Sequence, residues 1–211
     1  MGPLPRAPEN RQWLIVATDY FTKWVEAKPL THITDADSKK FVWKNIITRF
    51  GIPQALISDN RMQFESGPFK SFCKQYGIKN HFFMPAYPLG NGQAESSNKT
   101  LLNGIKKRLE KAKGRWVEEL SSVLWAYRTT PRSFTRETPF SLTYGVEAII
   151  PLKVDLPMIH TEYYDPTSNE TSLATELDLA EKRRDSALIH LAAYQNGLWR
   201  TYKKRVSPKD W

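Results

Sequence analysis

Apolar positions along the chain change their spacing several times, and each change marks an element. Trp13-Leu-Ile-Val-Ala-Thr18 is a short continuous apolar, β-branched run, which predicts a buried strand. A tight turn over 19–23 leads to its antiparallel partner, Trp24 to Lys28, which Pro29 is expected to end. From Asp35 to Phe50 the positions Phe41, Ile46, Ile47 and Phe50 fall near one helical face. Asp35 is the expected N-cap, and Gly51 and Pro53 are the stop. Ala55-Leu-Ile-Ser58 reads as a buried strand of the parallel-sheet kind, delivering Asp59 at its C-terminal end. A helix over 68–76, stopped by Gly77, and a strand over 78–83 follow.

The second half of the chain is dominated by helical spacing. A long helix is predicted over 94–113, with Leu101, Leu102, Ile105, Leu109 and Ala112 as its apolar stripe. Its other faces carry Lys99, Lys106, Lys107, Arg108, Lys111 and Lys113 against Glu110. Gly114 breaks it, and a helix over 116–129 follows, in which Trp116, Trp125 and Tyr127 are expected in the core. A loop over 131–139 precedes a helical turn at 140–144. The Pro- and Asp-punctuated stretch 153–168 reads as a linker. A last helix over 170–205 aligns Leu173, Leu177, Ala180, Ala187, Leu191 and Tyr194, and then turns strongly basic.

Composition narrows the function classes. A net charge of +9 and a pI near 9.6 favour a polyanionic partner, and 40% hydrophobic content excludes wholesale disorder. Cys73 is the sole cysteine, so no internal disulfide is possible; it reads as a small core residue in a reducing compartment. The four histidines share no metal-ligand spacing, and no secretory or membrane-spanning segment is expected.

Candidate chemistry lies in Asp59 and in Glu95, which follows a Gly-Asn-Gly loop within Pro85 to Lys99. Two acids converging from a strand end and a helix start suit divalent cations, which prefer carboxylate oxygens. The competing reading is local: Asp59 opens a turn, and Glu95 supports its helix end electrostatically. Position alone does not choose between them. A Lys-rich helix is likewise usually a solvated face.

Longer phrases surround these acids. Ile57-Ser-Asp-Asn-Arg-Met-Gln-Phe64 and Gly90-Asn-Gly-Gln-Ala-Glu-Ser-Ser-Asn-Lys99 resemble the second and third acid motifs of retroviral and retrotransposon integrases. The resemblance continues through Arg115-Trp-Val-Glu-Glu-Leu120, Leu124-Trp-Ala-Tyr-Arg-Thr-Thr-Pro131 and Thr138-Pro-Phe-Ser-Leu-Thr-Tyr-Gly145, and is nearest to gypsy-type long-terminal-repeat retrotransposons. It implies an α/β, RNase H-like core, a mixed sheet flanked by helices, with a C-terminal helical extension. It also implies DNA integration by metal-dependent polynucleotidyl transfer, with an Asp-Asp-Glu triad on Mg²⁺ or Mn²⁺.

Carried over residue by residue, Asp59 and Glu95 are catalytic acids and metal ligands, and Asn98 and Lys99 face DNA. Lys106 and Lys107 are expected phosphate contacts further along the same helix. The implied partners are element-end and target DNA and further copies of the chain in a homo-oligomer, acting in the nucleus. The expected organisation is a catalytic core over 1–150, a linker over 151–168 and a basic amphipathic helix over 169–211 that leads towards the family's β-barrel.

The sequence also departs from the family pattern. The first acid of the family precedes a Gly-Pro-Leu-Pro-like segment, which here is Gly2-Pro-Leu-Pro5. The first strand and its Asp are therefore expected to be missing, and Asp19 is not expected to substitute. Arg61 and Arg136 stand at usual glycines and Leu89 at a usual glutamine. Impaired catalysis is the resulting expectation. The rival is a non-catalytic nucleic-acid-binding or assembly module derived from the element.

Overall fold

The computed structural model describes residues 1–58, 62–82, 103–148 and 166–205, with backbone alone at 166–174, 176–177, 198 and 201–205. These residues group into two compact units, Met1–Thr18 with Val25–Leu124, and Asp19–Trp24 with Trp125–Trp211.

In the first unit, β1 (Trp13–Thr18) pairs antiparallel with β2 (Val25–Leu30), Trp13 opposite Leu30 and Thr18 opposite Val25. The second strand thus runs past Pro29, which was expected to end it. Pro29 lies opposite Leu14, and the backbone of Leu14 points away from β2. Its N–H donates to the Met1 carbonyl at 2.8 Å, and the Met1 amino group donates to the Leu14 carbonyl at 2.7 Å. The donor that proline lacks is therefore not needed by the β1–β2 ladder. Gly2 permits this close approach: a Cβ there would stand 2.7 Å from the Trp13 ring and 2.8 Å from the Gln12 carbonyl.

The chain is helical over 35–50, here α1, with a π-helical middle at Val42–Ile47. Its N-cap is Thr34, not the expected Asp35: Thr34 Oγ1 accepts from the Asp37 N–H at 3.1 Å. Gly51, at φ 89°, ends the helix as expected. The strand β3 (Ala55–Ser58) pairs parallel with β4 (Lys79–Phe82), as its composition predicted. It is covered on one face only, however. Leu56 packs on Val42, Phe69, Cys73 and Ile78, whereas Ile57 is 55% exposed.

Two short helices, α2 (Met62–Glu65) and α3 (Gly67–Gln75), connect these strands. Cys73, on α3, is buried and its thiol pKa is pushed up by that burial, in keeping with a packing role. Phe64 packs against both this cluster and the Ile15–Leu30–Phe41 cluster under β1 and β2.

The described strands form two two-stranded sheets, one antiparallel and one parallel. No described strand lies between β1 and β3 to join their ladders. Helix α4, described over 103–111, buries Ile105 and Leu109, and α5 (Trp116–Arg128) opens on the fully buried Trp116.

In the second unit, Trp24 packs edge-on against Tyr144 and tilted against Phe140, with the Arg128 guanidinium 4.2 Å over its ring. Tyr127 is buried as expected; Trp125, expected in the core, is 39% exposed. Thr138 caps α6 (Pro139–Tyr144) by accepting from the Ser141 N–H at 2.9 Å. Helix α7 (Pro166–Arg205) begins inside the stretch expected to be linker. Its Arg183 and Arg184 donate to the carbonyls of Gly145 and Leu142, satisfying acceptors at the end of α6.

Lys23 is buried at φ 59°, its ammonium 4.7 Å from the Tyr20 ring centre and 5.8 Å from that of Phe134. Burial lowers its pKa, and Asp19 opposes that shift. Between the lowered native value and the ordinary lysine value the folded chain holds fewer protons than the unfolded one. Stability therefore rises with pH across that window. Lys23→Met should stabilise the chain by about 1 kcal/mol at neutral pH, because a buried charge is replaced by an apolar group. The advantage should shrink as pH climbs towards the ordinary lysine value, which denaturant titrations at neutral and alkaline pH would show.

Candidate metal acids and nucleic-acid interface

The parallel pairing of β3 with β4 sets Ser58 opposite Phe82 and ends the strand where the sequence continues into Asp59. Asp59 itself lies outside the described residues, as do Glu95, Asn98, Lys99, Arg61 and Leu89. Among the described residues, no group of three or more His, Cys, Asp or Glu side chains is placed to hold a metal ion.

Asp19 has a local role. Its Oδ1 accepts from both the backbone N–H and the hydroxyl of Thr22, each at 2.7 Å. Its own N–H donates to the Trp24 carbonyl at 2.9 Å, closing the turn between β1 and β2. This is the side-chain-to-backbone pattern that aspartate offers a turn.

Helix α4 separates its charges from its core. Ile105 and Leu109 are buried, whereas Lys107, Arg108 and Lys111 are exposed. Lys106 is half-buried and lies 3.5 Å from Glu110, one turn on. Lys113 and Arg115, in the short 3₁₀ turn after α4, are exposed as well. Lys107, Arg108 and Lys111 follow the i, i+1, i+4 spacing of one helical face. Of the described expected contacts, Lys107 stands on this face and Lys106 is engaged with Glu110. Arg108 and Lys111 join Lys107, and the helical spacing was the signal for them. Such a row of cations suits phosphates, which need charge and no particular base.

Arg136 occupies the left-handed region at φ 62°. The resemblance places a usual glycine here, and the backbone supplies the reason: this conformation strains a residue carrying a Cβ.

Comparison with known proteins agrees with this fold. Residues 3–88 match the integrase core domain family. The chain is 32% identical over 194 residues to the Pol polyprotein of radiation murine leukemia virus (strain Kaplan), covering 89% of this chain and 31% of that protein. It is 33% identical over 162 residues to the Gag-Pol polyprotein of feline leukemia virus, covering 76% of this chain and 9% of that protein. It is 30% identical over 192 residues to the transposon Tf2-3 polyprotein of Schizosaccharomyces pombe, covering 81% and 14%.

The chain thus spans less than a third of the length of these polyproteins. Among solved structures, a chain of the simian T-cell lymphotropic virus intasome in complex with PP2A regulatory subunit B56 gamma superposes with a TM-score of 0.50 at 19% identity. That superposition covers 75% of this chain and 62% of that one, a likeness of fold. The chain carries a retroviral-type integrase core with an α/β, RNase H-like fold.

Proposed function

We propose that this chain is the catalytic-core part of a gypsy-type retrotransposon integrase, working in DNA integration as a DNA-binding polynucleotidyl transferase core. The integrase-core match over residues 3–88, which includes the phrase around Asp59, carries this reading. Asp59 and Glu95 would hold Mg²⁺ or Mn²⁺, because an all-carboxylate donor pair fits hard divalent cations. Ions bound there supply charge stabilisation to the attacking and leaving oxygens of phosphoryl transfer.

Asn98 and Lys99 would face the element-end DNA. Lys106 and Lys107, with Arg108 and Lys111 beside them, would neutralise phosphates. The Asp19 carboxylate is engaged in the turn between β1 and β2 and is not assigned to the metal. Assembly is homo-oligomeric, on element-end and target DNA, in the nucleus. No described helix is long and apolar enough to cross a membrane.

The test combines DNA binding with Mn²⁺-supported strand transfer. Binding should weaken steeply with salt, and Lys107→Ala should lower the salt slope by about 1, uniformly across sequences. Strand transfer should be detectable in the wild type and absent in Glu95→Gln. Binding without any transfer would favour the second reading, a nucleic-acid-binding or assembly module, which the engagement of Asp19 and the exposed bases of α4 support. Transfer that survives Glu95→Gln, or a chain that does not bind DNA, would overturn the first.

A further inference from the structure

We infer that α7 is the element through which two copies of this chain pair, antiparallel, about Ile189. The inference deepens the homo-oligomer of the preceding reading and rests on it. It begins from the two sides of α7. Ala180 and Ala187 are buried, and Ala180 lies 3.0 Å from where a Cβ on Gly145 would stand, so this side is turned inward. At about 100° per residue, Ile189 sits half a turn around from Ala180 and nearly so from Ala187. It is 68% exposed, with Leu188 half-exposed beside it.

Positions four, seven and eleven residues either side of Ile189 return to its face. They are Asp178, Lys182 and Asp185 towards the N-terminus and Ala193, Asn196 and Arg200 towards the C-terminus, and all six are exposed. The face therefore has an acidic end, an apolar middle and a basic end.

The whole helix repeats this polarity. Residues 166–185 hold five acids and three bases, and two of those bases, Arg183 and Arg184, donate to backbone carbonyls in their own unit. Residues 186–205 hold four Lys and Arg and no acid. Parallel pairing of two copies would set like charges level; antiparallel pairing sets opposite charges level and also opposes the helix dipoles.

A two-fold axis at Ile189 fixes the register. Ile189 meets Ile189 of the second copy, Asp185 meets Ala193, and Lys182 meets Asn196. Asp178 and Arg200 fall level twice over, at the two ends of a contact about 33 Å long. Such a contact is isologous and closes as a dimer. Among exposed faces, this one names its occupant, because its charge order is complementary to itself.

Sedimentation of the full chain without DNA tests the pairing. The wild type should dimerise. Ile189→Glu and Asp178→Arg should each raise the dimer dissociation constant at least tenfold, and Asp178→Arg with Arg200→Asp should recover most of the loss. These residues are exposed, so folding should survive, and circular dichroism would verify that it does.

For orientation, a copy bearing Asp178→Cys is mixed with one bearing Arg200→Cys, both in a Cys73→Ala background. A short bis-maleimide should join the two kinds of copy and leave either alone unjoined. An oligomer that ignores every α7 change would overturn the inference and leave self-assembly standing. A wild type that is monomeric without DNA would overturn the inference, and one that also stays monomeric on element-end DNA would overturn homo-oligomeric assembly. Joining of Asp178→Cys copies to each other would overturn the antiparallel order.

Discussion

Trp116→Ala is expected to destabilise the chain by about 3–5 kcal/mol, the range for truncating a large buried aromatic residue. Trp116 is fully buried at the start of α5, and its indole Nε1–H donates to the Pro5 carbonyl at 2.7 Å across 111 positions of sequence. Truncation would open a cavity and also release the N-terminal segment from that donor. Trp116→Phe separates the two contributions, since it keeps most of the volume and loses the hydrogen bond, worth about 1 kcal/mol. Urea titrations followed by circular dichroism should show a large fall in midpoint for alanine and a small one for phenylalanine. Equal losses in the two variants would show that volume is not what matters here.

Arg49→Ala should be the next most damaging single change, at about 2 kcal/mol. Glu26 lies on β2 with its side chain 4% exposed, and its Oε1 accepts from Arg49 Nη1 at 2.7 Å. Removing one member of a buried pair typically costs about 3–5 kcal/mol, because the remaining charge stays desolvated. The Arg49 side chain is 40% exposed, so water screens part of the interaction and the lower figure applies. The Asn45 amide donates to Oε2 at 3.5 Å, a longer and uncharged contact. Arg49→Lys should recover part of the loss, since it restores the charge without the planar fork. The midpoint should fall at constant denaturant slope; an unchanged midpoint would mean that Glu26 finds sufficient solvation without arginine.

Helices with strong apolar periodicity were the most legible from the sequence, because α3 and α5 bury the residues that set the period; of the positions expected on α1's apolar face Phe41 is buried, whereas Phe50 is 42% exposed. Their ends and surroundings were less so. Thr34 and Asp35 are both competent caps, and only the extended backbone of Thr34 decides between them. Pro29 inside β2 depends on which way the Leu14 backbone points, and hydropathy does not carry that information. The run Ala55–Ser58 looks buried on both faces, yet its second face depends on what the rest of the chain lays over it. Lys23 and Glu26 are charged residues next to a strand end, where alternation gives no warning of burial. The basic face of α4 was readable from helical spacing. The metal acids rest on phrase resemblance around Asp59 and Glu95, since position alone left them balanced against local roles.

The reciprocal bonds between Met1 and Leu14 bear on how the protein should be handled. In an antiparallel ladder, alternate residues point to the same side, so the N–H and carbonyl groups of Val16 and Thr18 face the side on which Met1 meets Leu14. Any backbone fused to the Met1 nitrogen would be steered along that row, its second residue upstream level with Val16. An affinity tag placed there would act as a sheet-forming guest, and one rich in β-branched residues would add an edge able to recruit further chains. A short, charged, proline-containing leader is the better choice at that end.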